Sequence, residues 1–181
     1  MKKYFLFLII MLQSCNSDFQ PKPFSFLRLD YPKPIYRRIK LKNKISFETN
    51  NRSSIFKERK NEFNLVYPKM KATLYLNYNT IEKNLDSLLN DAYQLPYKHI
   101  TKAESIPEKI FLNPDKKVYG TLFSVIGDAA SQHQFFLTDS IDHFLVGSLY
   151  FYAKPNYDSI YPAVKYIEKD LVRLMETLQW N

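Results

Sequence analysis

The chain is poor in cysteine and glycine. Its single cysteine, Cys15, has no partner for an intramolecular disulfide, and no cysteine-based metal site can form. Only three glycines accompany an aromatic content of 16%, so the composition is not that of a disordered chain. The apolar run at residues 4–12 is about half as long as a membrane-spanning helix requires. These absences indicate one ordinary domain whose core must be sufficient without disulfides.

The chain also lacks the common catalytic motifs. It contains no glycine-rich phosphate loop, no Gly-x-Ser-x-Gly segment and no His-Glu-x-x-His segment. Ser140 and Ser159 each lie beside an aspartate, but a turn or a helix cap explains such pairs better than a catalytic triad does. We therefore predict that the chain is not an enzyme, has no catalytic residue and needs no cofactor.

The first fifteen residues have the layout of a bacterial lipoprotein signal. Two lysines precede the apolar run, and the segment 12–15, Leu-Gln-Ser-Cys, has the residue types of a lipobox. Residues 1–14 are therefore predicted to be a cleaved signal peptide, and Cys15 is predicted to carry diacylglycerol and an acyl chain such as palmitate. The alternative is a buried N-terminal helix that ends in cysteine. The residues directly after Cys15 are Asn16 and Ser17 and not Asp, which favours the outer membrane over the inner one, with the domain in the periplasm.

Positive charge is concentrated near the predicted anchor. Residues 16–60 contain twelve Lys/Arg and four Asp/Glu, whereas residues 61–181 contain twelve and fourteen. Cations of the first segment are predicted to contact anionic lipid headgroups or the acidic face of a partner; they are Arg28, Arg37, Arg38, Lys40 and Lys42. The alternative is an edge strand whose lysines prevent mispairing, because residues 38–42 alternate in polarity. Export and the lack of a clustered basic helix argue against a nucleic-acid partner.

One domain is expected behind a short arm. Residues 15–36 are rich in proline and aromatic residues and are predicted to form an arm that packs back on a domain of residues 37–181. An exposed loop is expected at residues 50–61, and a polar link precedes residue 117. Strands are predicted at residues 45–47, 63–67, 72–78, 117–126, 133–138 and 144–152.

Two helices complete the expected fold. The first is predicted to begin near Asn79 or Thr80, with Asn79 as its cap, and to end at Pro96. The second is predicted to be capped by Asp158 and to carry apolar residues at helical spacing as far as Leu178. The fold class predicted is α+β, an antiparallel sheet with helices packed on its faces.

Two histidines and an aspartate form a candidate ligand site. His133 lies within a predicted strand and His143 opens the next one, so the two are expected to be neighbours across a hairpin, with Asp139 beside them. Such a cluster is suited to a small ligand or a metal ion. Neither the spacing nor a cysteine supports a metal site, and no metal is predicted.

Several segments resemble the gliding-motility lipoprotein D family (GldD) of Bacteroidota. The resemblance covers most of the chain after the signal and is most specific in the last third, while residues 49–61 resemble the family poorly. The segments that carry it are Pro21-Lys22-Pro23, Leu27-Arg28-Leu29-Asp30, Leu65-Val66-Tyr67-Pro68, Ala72-Thr73-Leu74-Tyr75-Leu76, Tyr97-Lys98-His99, Lys102-Ala103, Leu137-Thr138-Asp139-Ser140, His143-Phe144-Leu145, Gly147-Ser148-Leu149-Tyr150-Phe151, Pro155-Asn156-Tyr157-Asp158-Ser159 and Tyr166-Ile167.

The resemblance implies a membrane-anchored periplasmic lipoprotein needed for gliding and for the associated type IX secretion machinery. It supplies no catalytic residue, and the order of elements is similar to the PsbP-like α/β/α sandwich. We expect an accessory or assembly component that binds other envelope proteins through the basic arm and a sheet edge. The alternative is an envelope lipoprotein that binds a small ligand or metal between the sheet and its helices.

Overall fold

A computed structural model describes residues 31–42, 44–59, 61–153 and 156–181, which form twelve strands and two α-helices. The predicted signal peptide, Cys15 and Arg28 lie outside the described residues. The helices are α1 (Leu85–Tyr97) and α2 (Tyr157–Thr177). The strands are β1 (Tyr36–Leu41), β2 (Ile45–Asn50), β3 (Ser54–Arg59), β4 (Glu62–Tyr67), β5 (Ala72–Thr80), β6 (Ala103–Ser105), β7 (Glu108–Asn113), β8 (Val118–Ser124), β9 (Ile126–Gly127), β10 (Ser131–Thr138), β11 (His143–Phe151) and β12 (Gln179–Trp180).

The main sheet has seven antiparallel strands in the order β3-β4-β5-β11-β10-β8-β7. Strands β8, β10 and β11 pair as an antiparallel meander. All eight residues of β10 are buried, as expected for a strand covered on both faces. A second sheet has the order β1-β2-β12, and β6 pairs with β9.

Each face of the main sheet is covered by one helix. On one face, α2 buries Ile167, Leu171 and Leu174 against the larger apolar core, which also contains Phe47 and Phe135. On the opposite face, α1 covers a smaller cluster formed by Phe123, Phe136, Phe144 and Ala92. The sheet therefore lies between two helices, and the predicted α+β class is confirmed.

The start of α1 was predicted wrongly. Strand β5 continues to Thr80, where it pairs with His143 of β11, so Asn79 belongs to a strand and is not a helix cap. The helix begins at Leu85, after Asn84. Strand pairing thus outweighs the capping pattern that residues 79–82 present. The second helix is capped by the Asn156 side chain, which accepts from the Ser159 N–H at 3.2 Å, whereas Asp158 lies in the first turn.

The prediction of an exposed loop at residues 50–61 is also wrong, because this segment contains strand β3 and its first residue is buried. Asn50 is fully buried, and its Nδ2 donates to Asp170 Oδ2 and to the Tyr166 hydroxyl, both at 3.0 Å. Asp170 also accepts from the Tyr36 hydroxyl at 2.9 Å. Burial raises the pKa of Asp170, although these donors oppose the rise. The polar link expected before residue 117 likewise contains two strands, β6 and β7.

The first described residues pack on α2. The ring of Tyr31 lies 5.0 Å from that of Tyr166, whose hydroxyl donates to the Pro32 carbonyl at 3.0 Å. The chain that leads from the predicted anchor therefore joins the domain on the α2 side. Within the part of the chain that the structure describes, neither helix has the length and apolar character needed to cross a bilayer.

Candidate functional site

The structure separates the two histidines that the sequence placed together. His133 pairs with Leu149 in β11, whereas His143 opens β11 and pairs with Thr80 of β5. The expected proximity of the two histidines is therefore wrong, because the hairpin register places them at opposite ends of the β10–β11 pair. His143 and Asp139 do lie together, with His143 Nε2 4.0 Å from Asp139 Oδ2.

His143 is the first residue of β11, and its ring contacts the side chains of two aromatic residues. Its Nδ1 lies 2.6 Å from the Tyr78 hydroxyl, and its ring stacks on Trp180 at a centroid distance of 5.1 Å. Asp139 Oδ1 accepts from three backbone N–H groups, those of Ile141, Asp142 and His143. Burial alone would raise the pKa of Asp139, but these donors outweigh it and hold that pKa below its usual value. Both side chains thus fix the turn that joins β10 to β11.

His133 is buried and neutral. It is 2% exposed, and its Nδ1 lies 3.2 Å from the Ser124 hydroxyl. Burial lowers the pKa of His133 to about 4, so the ring is uncharged at neutral pH. Among the residues that the structure describes, no group of three or more His, Cys, Asp and Glu side chains is arranged to hold a metal ion.

The predicted basic surface is partly used within the domain. Arg38 donates to the Thr177 carbonyl at 3.3 Å and to Gln179 Oε1 at 3.0 Å. Arg37 donates to the Ser53 carbonyl at 3.4 Å. The exposed side chains of Lys40 and Lys42 make no hydrogen bond or ion pair with another described residue. Two of the four described cations are therefore engaged within the fold and two are available for a partner.

An exposed sheet edge is the first candidate surface that the residues alone did not locate. Strand β7 ends the seven-stranded sheet and pairs with β8 without a bulge. Ile110 and Leu112 are 71% and 69% exposed, whereas Phe111, between them, packs against the core. A half-exposed strand usually alternates apolar and polar residues. Residues 110–112 are all apolar, so the sequence did not indicate an exposed edge here.

An aromatic groove is the second candidate surface. It has a volume of about 590 Å³ and lies where β5 and β10 begin and β11 ends, near the start of α2. Gln132 is the polar side chain buried in its wall. Gln132 lies among other polar residues at the start of β10, so the sequence did not single it out. The lining residues are Tyr75, Ala129, Ala130, Gln132, Tyr150, Phe151, Tyr152, Ala153 and Ile160.

Comparison with models of protein families identifies a match. The family described as gliding motility lipoprotein GldD matches residues 16–180 of the chain. That span begins immediately after Cys15 and includes both candidate surfaces as well as the His143 turn. A search of curated proteins finds no match.

Proposed function

This chain belongs to the gliding motility lipoprotein GldD family, and we propose that it acts as a non-catalytic accessory or assembly component of the gliding and type IX secretion machinery. Membership of a lipoprotein family supports a lipid-anchored location in the cell envelope. We further propose that the anchor is carried by Cys15 and holds the domain at the outer membrane, facing the periplasm. The lipobox order of residues 12–15 supports the first point, and Asn16 in place of an aspartate supports the second.

The exposed edge strand β7 is the observation that carries the proposal. An edge strand presents unpaired backbone N–H and C=O groups to which an extended segment of a partner can add as a further strand. Ile110 and Leu112 lie on one face of β7 and leave about seventy per cent of their surface in solvent. Alternate apolar side chains beside free backbone groups match the two requirements of strand addition, affinity and side-chain specificity.

The two edges of the main sheet differ in this respect. Strand β3, at the other edge, has an irregular register with β4 between Ile55 and Lys57. Such bulges twist an edge and oppose the addition of another strand. Strand β7 keeps a regular register with β8 over all six of its residues. Of the two edges, β7 is therefore the better suited to pair with a strand of a partner.

Strand β7 is also held in place by its neighbours. Phe111 packs against the main core, and Glu108 accepts a hydrogen bond from the Tyr97 hydroxyl at the end of α1, at 2.9 Å. A strand fixed in this way loses little conformational freedom when a partner binds. Ile110 and Leu112 are not needed for that fixation, so changing them is expected to leave the domain folded.

A double substitution at this edge tests the proposal. Ile110→Lys with Leu112→Lys adds two charges to the binding face, and the single substitution Ile55→Lys at the bulged edge serves as the matched control. We expect the double variant to lose envelope proteins of the secretion machinery that co-purify with the wild-type lipoprotein, and to reduce the amount of secreted cargo. The Ile55→Lys variant should retain both. Unchanged co-purification and unchanged cargo in the double variant would contradict the assignment of β7. An intact set of secreted proteins after deletion of this lipoprotein would contradict the accessory role itself.

A further inference from the structure

Gln132 is placed in the aromatic groove by an irregularity of strand β10. Ser131 pairs with Tyr150 and His133 pairs with Leu149, so Gln132 is an extra residue between two successive pairs. A bulge of this kind redirects a side chain and is common beside binding sites. Gln132 is 1% exposed, yet it lines the groove rather than the apolar core.

One atom of Gln132 is left without a partner. Its Nε2 donates to the Ala129 carbonyl at 2.7 Å, and a carbonyl accepts but never donates. The amide orientation is therefore fixed, and Oε1 cannot exchange places with Nε2. Oε1 is buried and has no hydrogen-bond partner among the described residues. A buried acceptor without a donor is unfavourable, and a ligand that brings an N–H or O–H group removes the penalty.

The other described residues of the lining are aromatic or aliphatic and carry no charge. Tyr75 and Tyr150 meet edge to face at 5.7 Å, and the Tyr75 and Tyr152 hydroxyls bond each other at 2.5 Å. One of these two hydroxyls donates to the other, and Gln132 Oε1 is the buried acceptor of the lining that has no partner among the described residues. Among the residues that the structure describes, no Asp, Glu, Lys or Arg lines the groove. A charged ligand would lose its hydration here without gaining an ion pair from this described lining.

We propose that this groove binds an uncharged amphiphile, an apolar chain that ends in an amide or hydroxyl donor, with the donor on Gln132 Oε1. The volume lies within the range of pockets that hold small ligands, and an apolar wall with a few polar groups is their usual composition. The site is separate from the β7 edge and does not depend on the accessory role proposed above.

Three ligands of equal chain length test the proposal. Decanamide is neutral and donates, methyl decanoate is neutral but only accepts, and decanoate is an anion at neutral pH. In calorimetric titrations of the full chain carrying Cys15→Ser, decanamide should bind most tightly and methyl decanoate about two- to tenfold more weakly, the usual value of one hydrogen bond. Decanoate should give no measurable binding. No heat of binding with decanamide, or equal affinities for all three ligands, would overturn the proposal.

Matched variants locate the site. Gln132→Met removes the acceptor and should abolish the preference for decanamide over methyl decanoate. Gln134→Met is the control, because Gln134 also has a buried unpartnered Oε1 but does not line the groove. Ala130 is exposed at the groove, so Ala130→Trp should fill it and abolish binding without disturbing the core. Wild-type binding by Ala130→Trp, or an equal effect of the two Met variants, would show that the ligand lies elsewhere.

Discussion

His133 lies in β10 and Asp139 in the turn that follows this strand, yet their surroundings act on their charges in opposite ways. The His133 ring is enclosed between β10 and α2, where burial removes water from any charge it acquires. Asp139 is also largely covered, but three backbone N–H groups replace the lost water. Burial therefore disfavours the charged form of His133, whereas hydrogen-bond donors favour the charged form of Asp139.

The buried state of His133 predicts a loss of stability in mild acid. Its pKa is about 4 in the folded protein, below the usual value near 6.5 of the unfolded chain. The stabilisation is fully present above pH 6.5 and is lost as the pH falls from 6.5 towards 4, because the unfolded chain takes up the proton first. We expect the loss to reach ~3 kcal/mol, measured by urea unfolding at a series of pH values.

The variant His133→Gln separates this effect from that of the carboxylates. Gln does not titrate, so the fall in unfolding free energy between pH 6.5 and 4 should be smaller in the variant than in the wild type. The difference between the two slopes is the quantity to compare, since the variant also changes stability at every pH. Parallel pH profiles would contradict a buried neutral His133.

At the scale of elements, the two helices begin with the same residue type but in different ways. The Asn156 side chain accepts from the Ser159 N–H within the first turn of α2. Asn84, at the start of α1, accepts instead from the Glu82 N–H, outside the helix. Asn156→Ala should therefore cost about 1 kcal/mol of unfolding free energy. Asn84→Ala should cost less than about 0.5 kcal/mol, and equal losses in urea unfolding would show that the observed cap does not stabilise α2.

Elements that carry their own pattern were predictable from the sequence. The apolar period of α2 and the alternation in β4 and β5 led to the correct element types. Strand β7 was missed because its residues are apolar on the exposed face, which depends on its place at the edge of the sheet. Gln132 was missed because a bulge exists only relative to the partner strand β11. The error at His133 and His143 has the same origin, since pairing register is a property of two segments.

At the scale of the whole molecule, the anchor side and the β7 surface lie on different faces of the sheet. Tyr31 packs on α2, so the arm reaches the domain on the α2 side. Ile110 pairs with Thr121, which pairs with Phe136 of the α1 cluster, so Ile110 lies on the α1 face. Tyr150 of the groove shares that face, because it alternates with Val146, which packs on the same cluster. A domain held through its arm thus keeps the β7 surface away from the attachment side, whereas the groove extends to α2 through Ile160.

Replacing Cys15 tests whether the lipid or the basic segment holds the domain. Two or three acyl chains anchor a protein stably, whereas each exposed cation near anionic lipid adds only about 1 kcal/mol. Cys15→Ser should move the protein from the membrane fraction to the soluble fraction and abolish labelling by a palmitate analogue. Any variant protein that remains on membranes should be released by 1 M salt, because charges are then screened within about 3 Å. The wild type should resist the same wash, because its attachment is apolar. If the Cys15→Ser variant also stays on membranes through the wash, another anchor exists.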